Sequence, residues 1–464
     1  MENSNTVAAF LALLIILWMV MSRKADSIDT SPAILHNATW AGALLIVSSG
    51  LLGYDPISGY AWLLIASAIL CFNIGVTIAG MRPKYGSANV DPIAAARPLV
   101  TRRMYRTLLL GFSVGFAIYL ATIASNFGLA TLLKDPTSVR LYADVNYLEA
   151  FPLYGKVLFY LGPLCLILTI FPEFVQGHRG GRLLWRLAIM AYLAIAQIAT
   201  LQRTNLVVGF AWAAALLILR LHYTRTDGQL RRLTPKIIAS FILMLVVGFV
   251  FFQGIAIALG KTDTNNGIIN SAASPSIQNS QAISVLYYAS SGIVAFGRLA
   301  DSQNEKWPPT SSTGFVVGDY NPQTWGLATF VGPLKLIPGV RHWTEVEPFN
   351  YVPVPTNVYT WLDPWYRDYR GAGVLFGAFF TGIIIGNVVR RARNSPEAML
   401  MAGLLVGLSG FAIFVNRYMT VMSVVSYLAL WFLGVQRRSN EASELREERR
   451  EAAKKRPMIR KVSS

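Results

Sequence analysis

The chain has 464 residues, 54% of them hydrophobic and only 14% charged, with a mean hydropathy of +0.45. Soluble chains of this length carry nearer a quarter charged residues and split into domains with polar surfaces, so a soluble architecture is excluded. The formal charge of +17 does not point to nucleic acid either: no nucleic-acid-binding motif accompanies the basic residues, which fall in short polar connections and in the C-terminal tail.

Apolar blocks long enough to span a hydrocarbon core follow one another along the chain. The predicted spans are 6–22, 39–53, 60–81, 106–126, 151–171, 184–201, 204–221, 237–259, 371–389, 398–415 and 418–436. No basic region precedes the first, which therefore reads as a retained helix rather than a cleaved leader. The second and third are joined by Gly53-Tyr-Asp-Pro-Ile-Ser-Gly59, a turn-rich link suited to a tight hairpin. Cys71 and Cys165 lie inside apolar blocks with no metal-ligand spacing, so they read as small core residues.

Every second connection is basic. Arg23 and Lys24 follow the first span, Arg82 to Arg103 the third, Arg179 to Arg186 the fifth and Arg220 to Lys236 the seventh. Arg390, Arg391 and Arg393 follow the ninth, and Arg437 opens the tail. The positive-inside rule then predicts the N-terminus outside and the C-terminus in the cytoplasm. The expected fold is an all-α polytopic membrane protein of about eleven transmembrane helices. Helices 1–8 occupy 1–259, a large external loop 260–370, helices 9–11 occupy 371–436, and 437–464 form a charged cytoplasmic tail. Within the loop, Ser271–Ser280 is polar, 281–298 carries apolar residues at the spacing of an interfacial amphipathic helix, and 327–337 predicts a second short helix on the membrane. An external loop of this length is where function is expected.

The spans carry almost no carboxylates, few mid-span basic residues and no paired broken helices, which disfavours a coupled transporter or flippase. At the predicted outer border stand Arg140, Arg203, Arg298, Arg341, Arg367, Arg370 and Arg417, against the positive-inside trend. Any one of them alone reads as snorkelling or a local ion pair. As a group their planar forks suit the phosphates of a polyprenyl-linked substrate whose headgroup lies at the same depth. Residues 341–371 interleave aromatics with carboxylates, amides and arginines, a pattern suited to stacking on sugars and hydrogen-bonding their hydroxyls. An interfacial aromatic belt is the alternative, although a belt does not require the carboxylates.

The run Asn357-Val-Tyr-Thr360 with Tyr366, Asp368 and Gly371 at the head of a span resembles the oligosaccharide repeat unit polymerases of the Wzy type. Tyr287-Tyr288 through Phe296-Gly-Arg298, and Gln202-Arg203-Thr204 opening a span, are similar to further segments of that family, so the resemblance covers about 200–375. It implies a GT-C-like, metal-independent glycosyltransferase on the outer face of the bacterial inner membrane. Such an enzyme moves a growing glycan from undecaprenyl diphosphate onto the next lipid-linked unit, with membrane lipid and a chain-length regulator as partners. No cofactor is expected: the chain has no P-loop and no cluster with metal-ligand spacing. Arg203, Arg298 and Arg417 are the expected diphosphate ligands, and Tyr288, Asn357, Tyr359, Thr360 and Tyr366 the expected sugar-binding residues. For the base that deprotonates the acceptor hydroxyl, His342 and Asp368 are the candidates, with Glu345, Glu347 and Asp363 as further carboxylates. An O-antigen-type ligase is the alternative enzyme, and a lipid-linked oligosaccharide transporter the alternative class.

Overall fold

The structure is a computed structural model that describes residues 2–24, 31–80, 98–134, 151–176, 183–199, 203–223, 273–278, 283–309, 316–344, 347–392 and 394–455. These are mostly helical. In chain order the helices are α1 (Glu2–Lys24), α2 (Ser31–Ser48), α3 (Gly59–Gly80), α4 (Arg102–Phe127), α5 (Leu129–Lys134), α6 (Leu153–Phe159), α7 (Gly162–Ile170), α8 (Leu183–Ala199) and α9 (Arg203–Tyr223). After them come α10 (Ile283–Asp301), α11 (Val331–Lys335), the strands β1 (Asn350–Tyr351) and β2 (Pro355–Thr356), α12 (Asp363–Ala392), α13 (Pro396–Ser409) and α14 (Val421–Lys455).

Among the described residues, six stretches are long and apolar enough to cross a membrane: 4–22 within α1, then α3, α4, the consecutive α6 and α7, α10 and α12. Shorter apolar helices, α2, α8, α9 and α13, accompany them. The chain is a helical membrane protein. Four of the eleven expected spans fall on these shorter helices, and the eighth, 237–259, lies outside the described residues. The eleventh merges with the tail, because α14 runs unbroken for 35 residues through both.

Close backbone approach holds the bundle together. Gly382 and Gly386 of α12 lie against the α3 backbone and Ala79, where a Cβ on Gly382 would come within 2.3 Å of the Phe72 carbonyl. Without water to drive apolar association, small residues that let helices touch are the available adhesive. Side chains then fill the interior, with Trp40, Phe72, Trp212 and Trp361 fully enclosed.

The expected interfacial helix is present as α10, but it does not lie on a surface. Ser290 and Ser291, on the side that water would cover in such a helix, are 0% exposed. The helix packs into the bundle because both faces find partners. Ser290 Oγ lies 2.7 Å from the Tyr54 hydroxyl, Tyr366 donates to the Ala300 carbonyl at 2.9 Å, and Gly292 rests on the Ile413 carbonyl. The expected short helix at 327–337 is α11. At the head of α12 the chain kinks at Arg370 (φ 55°), one residue before the expected start of the ninth span at 371. β1 and β2 form a small antiparallel hairpin, Asn350 opposite Thr356, just ahead of this kink.

Candidate functional site

Two polar corners meet where the 324–343 segment, the hairpin and the head of α12 cover the end of the bundle. The first is built on α12. Asp368 accepts from the Thr324 hydroxyl, from Ala328 N at 3.3 Å and from Thr329 N at 2.6 Å. With 0% exposure and all three donors supplied by one turn, this carboxylate ties the 324–329 segment to the helix. Arg370 binds Asn321 through Nη1 (2.5 Å to Oδ1) and Nη2 (2.9 Å to the carbonyl), which fixes the kink.

Arg367 is the centre of this corner, and its side chain is fully buried. Its Nε lies 2.8 Å from Asp363 Oδ1, Nη2 lies 3.4 Å from Glu347 Oε2, and Nη1 donates to the Tyr320 carbonyl at 2.6 Å. The guanidinium also stacks on Trp343 at 4.9 Å and on Tyr359 at 5.5 Å. Desolvating so many charges is tolerable because each is paired. Burial raises the Tyr359 phenol above its ordinary range, with Arg367 partly offsetting.

The second corner is the turn between α13 and α14. Arg417 has no carboxylate within ion-pair distance among the described residues, and its enclosed Nε has no hydrogen-bond partner. Burial lowers its pKa to about 10, which still leaves a cation at neutral pH. The neighbouring Tyr418 hydroxyl and Trp361 Nε1 are likewise enclosed without partners, although the two rings touch edge to face at 5.7 Å. Native interiors satisfy the great majority of buried donors, and each orphan costs about 1–3 kcal/mol. Three orphaned donors meet at this corner, two in the turn and the third at the head of α12, and one of them is cationic.

An apolar groove of about 370 Å³ begins beside this turn. It runs between α4, α6 and α14 and is lined by Met104, Leu108, Leu161, Leu336, Val425 and Leu433 among others. Leu161 adjoins Tyr160, which lies close enough to Arg417 to act on it electrostatically. Leu336 caps α11, whose Gly332 packs on Met419 and Thr420 with its N–H donating to the Met419 carbonyl at 2.9 Å. The two corners are themselves joined: Tyr359 touches Arg367, and Trp361, two residues on, touches Tyr418.

Of the arginines expected to bind diphosphate, Arg417 lies in the second corner. Arg298, in the last turn of α10, pairs instead with Asp55 at 2.5 Å in an exposed position. Arg203 opens α9, and its side chain lies outside the described residues. Among the expected sugar-binding residues, Tyr359 donates to the Pro348 carbonyl and Tyr366 to the Ala300 carbonyl, and Thr360 Oγ1 accepts from Leu362 N at the start of α12. All three are buried, so their polar atoms serve the framework. Asn357 is half-buried near them, and Tyr288 is half-buried on α10 beside Tyr287. His342 donates through Nδ1 to the Trp343 carbonyl at 2.7 Å, which leaves Nε2 as its acceptor nitrogen. Glu345 lies outside the described residues. Trp361 and Tyr418 were not legible as site residues, because an aromatic inside an apolar run carries no sign that its donor will lack a partner. No family model, curated protein or solved structure matches the chain.

Proposed function

We propose that the chain is a membrane glycosyltransferase that polymerises lipid-linked oligosaccharide repeat units at the outer face of the bacterial inner membrane. The growing glycan leaves its polyprenyl diphosphate carrier and joins the next lipid-linked unit. The observation that carries this reading is the pairing of an unneutralised cation and orphaned donors with an apolar groove. A diphosphate accepts hydrogen bonds and charge, and an isoprenoid chain fills an apolar channel, so one amphiphile satisfies both features. Arg417 then stabilises the negative charge that develops on the departing diphosphate, the place where a preorganised donor contributes most. The sequence resemblance to repeat unit polymerases supports the same reaction class, as does the aromatic-rich lobe above the bundle.

Lipid-linked intermediates in cells lacking the protein test this. Loss of a polymerase leaves single repeat units on the final acceptor. Long chains stranded on the polyprenyl carrier indicate a ligase instead, and units trapped on the cytoplasmic side indicate a flippase.

A further inference from the structure

The corner around Arg367 sets two carboxyl groups against one guanidinium. Asp363 and Glu347 both face it, and Arg341, over the Trp307 ring at 4.2 Å, is not within ion-pair distance of either. The two carboxylates differ in access. The Asp363 side chain is 3% exposed and Glu347 16%. Glu347 is also held in a fixed orientation, since Trp343 Nε1 donates to both its oxygens at 3.1 and 2.9 Å.

Ligand-facing features surround this reachable carboxylate. Trp343 packs at 5.2 Å from Trp307, whose ring is 38% exposed and continues the aromatic surface outward. On the inner side, the 5% exposed Asn350 engages the Tyr359 side chain. A partly exposed aromatic ring near a fixed carboxylate matches a sugar: the ring takes the C–H face, and the carboxylate takes a hydroxyl.

We infer that Glu347 is the catalytic residue that takes the proton from the acceptor hydroxyl, with Trp307 as the platform beneath the acceptor sugar. The assignment rests on the polymerase reading above. In the step, the acceptor oxygen bonds to the anomeric carbon of the donor glycan, and the bond from that carbon to the diphosphate breaks. The electron pair leaves with the polyprenyl diphosphate, and the hydroxyl proton passes to Glu347 and then to solvent through its exposed edge. A general base must be reachable and held in a fixed orientation. Glu347 meets both requirements. Asp368, with three donors and no exposed surface, fails the first.

The test uses the full chain in lipid nanodiscs with a synthetic polyprenyl-diphosphate-linked repeat unit. Glu347→Gln keeps an oxygen for Trp343 and Arg367 but removes the basicity. Its transfer rate is expected to fall about 100-fold or more, the usual range for losing a general base, with polyprenyl diphosphate binding within about twofold of wild type. Trp307→Ala is expected to raise KM for the acceptor about tenfold or more with a smaller change in kcat. Transfer by a folded Glu347→Gln variant within tenfold of wild type overturns the assignment, as does a His342→Gln variant that loses transfer while Glu347→Gln keeps it. Should the Gln variant not fold, Glu347→Asp decides the matter: the retracted carboxylate should cut kcat at least tenfold with donor KM unchanged, and a wild-type kcat refutes it. Wild-type protein that forms no chains overturns the polymerase reading itself, which distinguishes that failure from the failure of Glu347 alone.

Discussion

Replacing Tyr418 with Phe separates folding from binding, because the change deletes one hydroxyl and preserves the ring. That ring is 7% exposed, packs edge to face on Trp361 at 5.7 Å, and carries a hydroxyl with no partner among the described residues. An enclosed, unsatisfied hydroxyl costs about 1–3 kcal/mol, so the ligand-free protein should be stabilised by up to that amount when the hydroxyl is removed. With an anionic headgroup bound, the same hydroxyl makes a charge-assisted contact worth roughly 1.5–3 kcal/mol. Its loss weakens binding about 10- to 150-fold at 1.4 kcal/mol per decade. The expected signature is therefore opposed: the thermal midpoint of ligand-free protein in detergent holds or rises, and the stabilisation conferred by added polyprenyl diphosphate shrinks. Scanning fluorimetry of wild type and variant, with and without the lipid, reads both quantities. A midpoint that falls by several degrees with lipid stabilisation intact would show that the hydroxyl is a structural donor and that no ligand site exists there.

Other perturbations address the remaining parts of the fold. Arg417→Lys keeps the charge but loses the fork, so chain formation should drop by about two orders of magnitude at normal protein levels, read from product ladders on gels. Asp368→Asn leaves three buried donors sharing one weaker acceptor and should cost about 2–4 kcal/mol, seen as lower yield of folded protein and a lower thermal midpoint. Gly332→Ala places a Cβ within 2.1 Å of the Met419 carbonyl, so it should displace α11 from the 417–421 turn and reduce polyprenyl diphosphate binding. For orientation, an impermeant thiol reagent applied from the periplasmic side should modify a cysteine placed at Ser276 and spare one placed at Ser443. The reverse labelling would refute an external 260–370 segment.

Helix positions were largely readable because a membrane imposes one overriding demand, a run of apolar residues, and hydropathy reports it directly. The change from polar residues up to Arg370 to the apolar run from Gly371 marked the expected start of span nine, but not the kink found there. What the sequence did not disclose was packing. The 283–301 segment has the periodicity of a surface helix, and contacts distant in sequence bury its polar stripe: Tyr54 on Ser290, Ile413 on Gly292 and Ile57 on Gly297. In the same way Asp368 and Arg417 are equally charged letters at the ends of spans. The fold gives one three donors and leaves the other without a carboxylate partner, and no local pattern distinguishes those outcomes.

The last helix has a mechanical consequence. At 1.5 Å per residue, the 35 residues of α14 make a rod about 52 Å long. Glu397 on α13 grips that rod through Arg437 at 3.2 Å and Arg438 at 3.0 Å, and Gly434 lets the two helices close at the same level. The grip acts as a fulcrum. Ser423, whose hydroxyl holds the Arg417 carbonyl at 2.6 Å, lies roughly 21 Å to one side of it, and Lys455 roughly 27 Å to the other. If the rod pivoted there as a rigid body, a displacement of the charged end would reach the Arg417 turn in the opposite direction and at about three-quarters of its size.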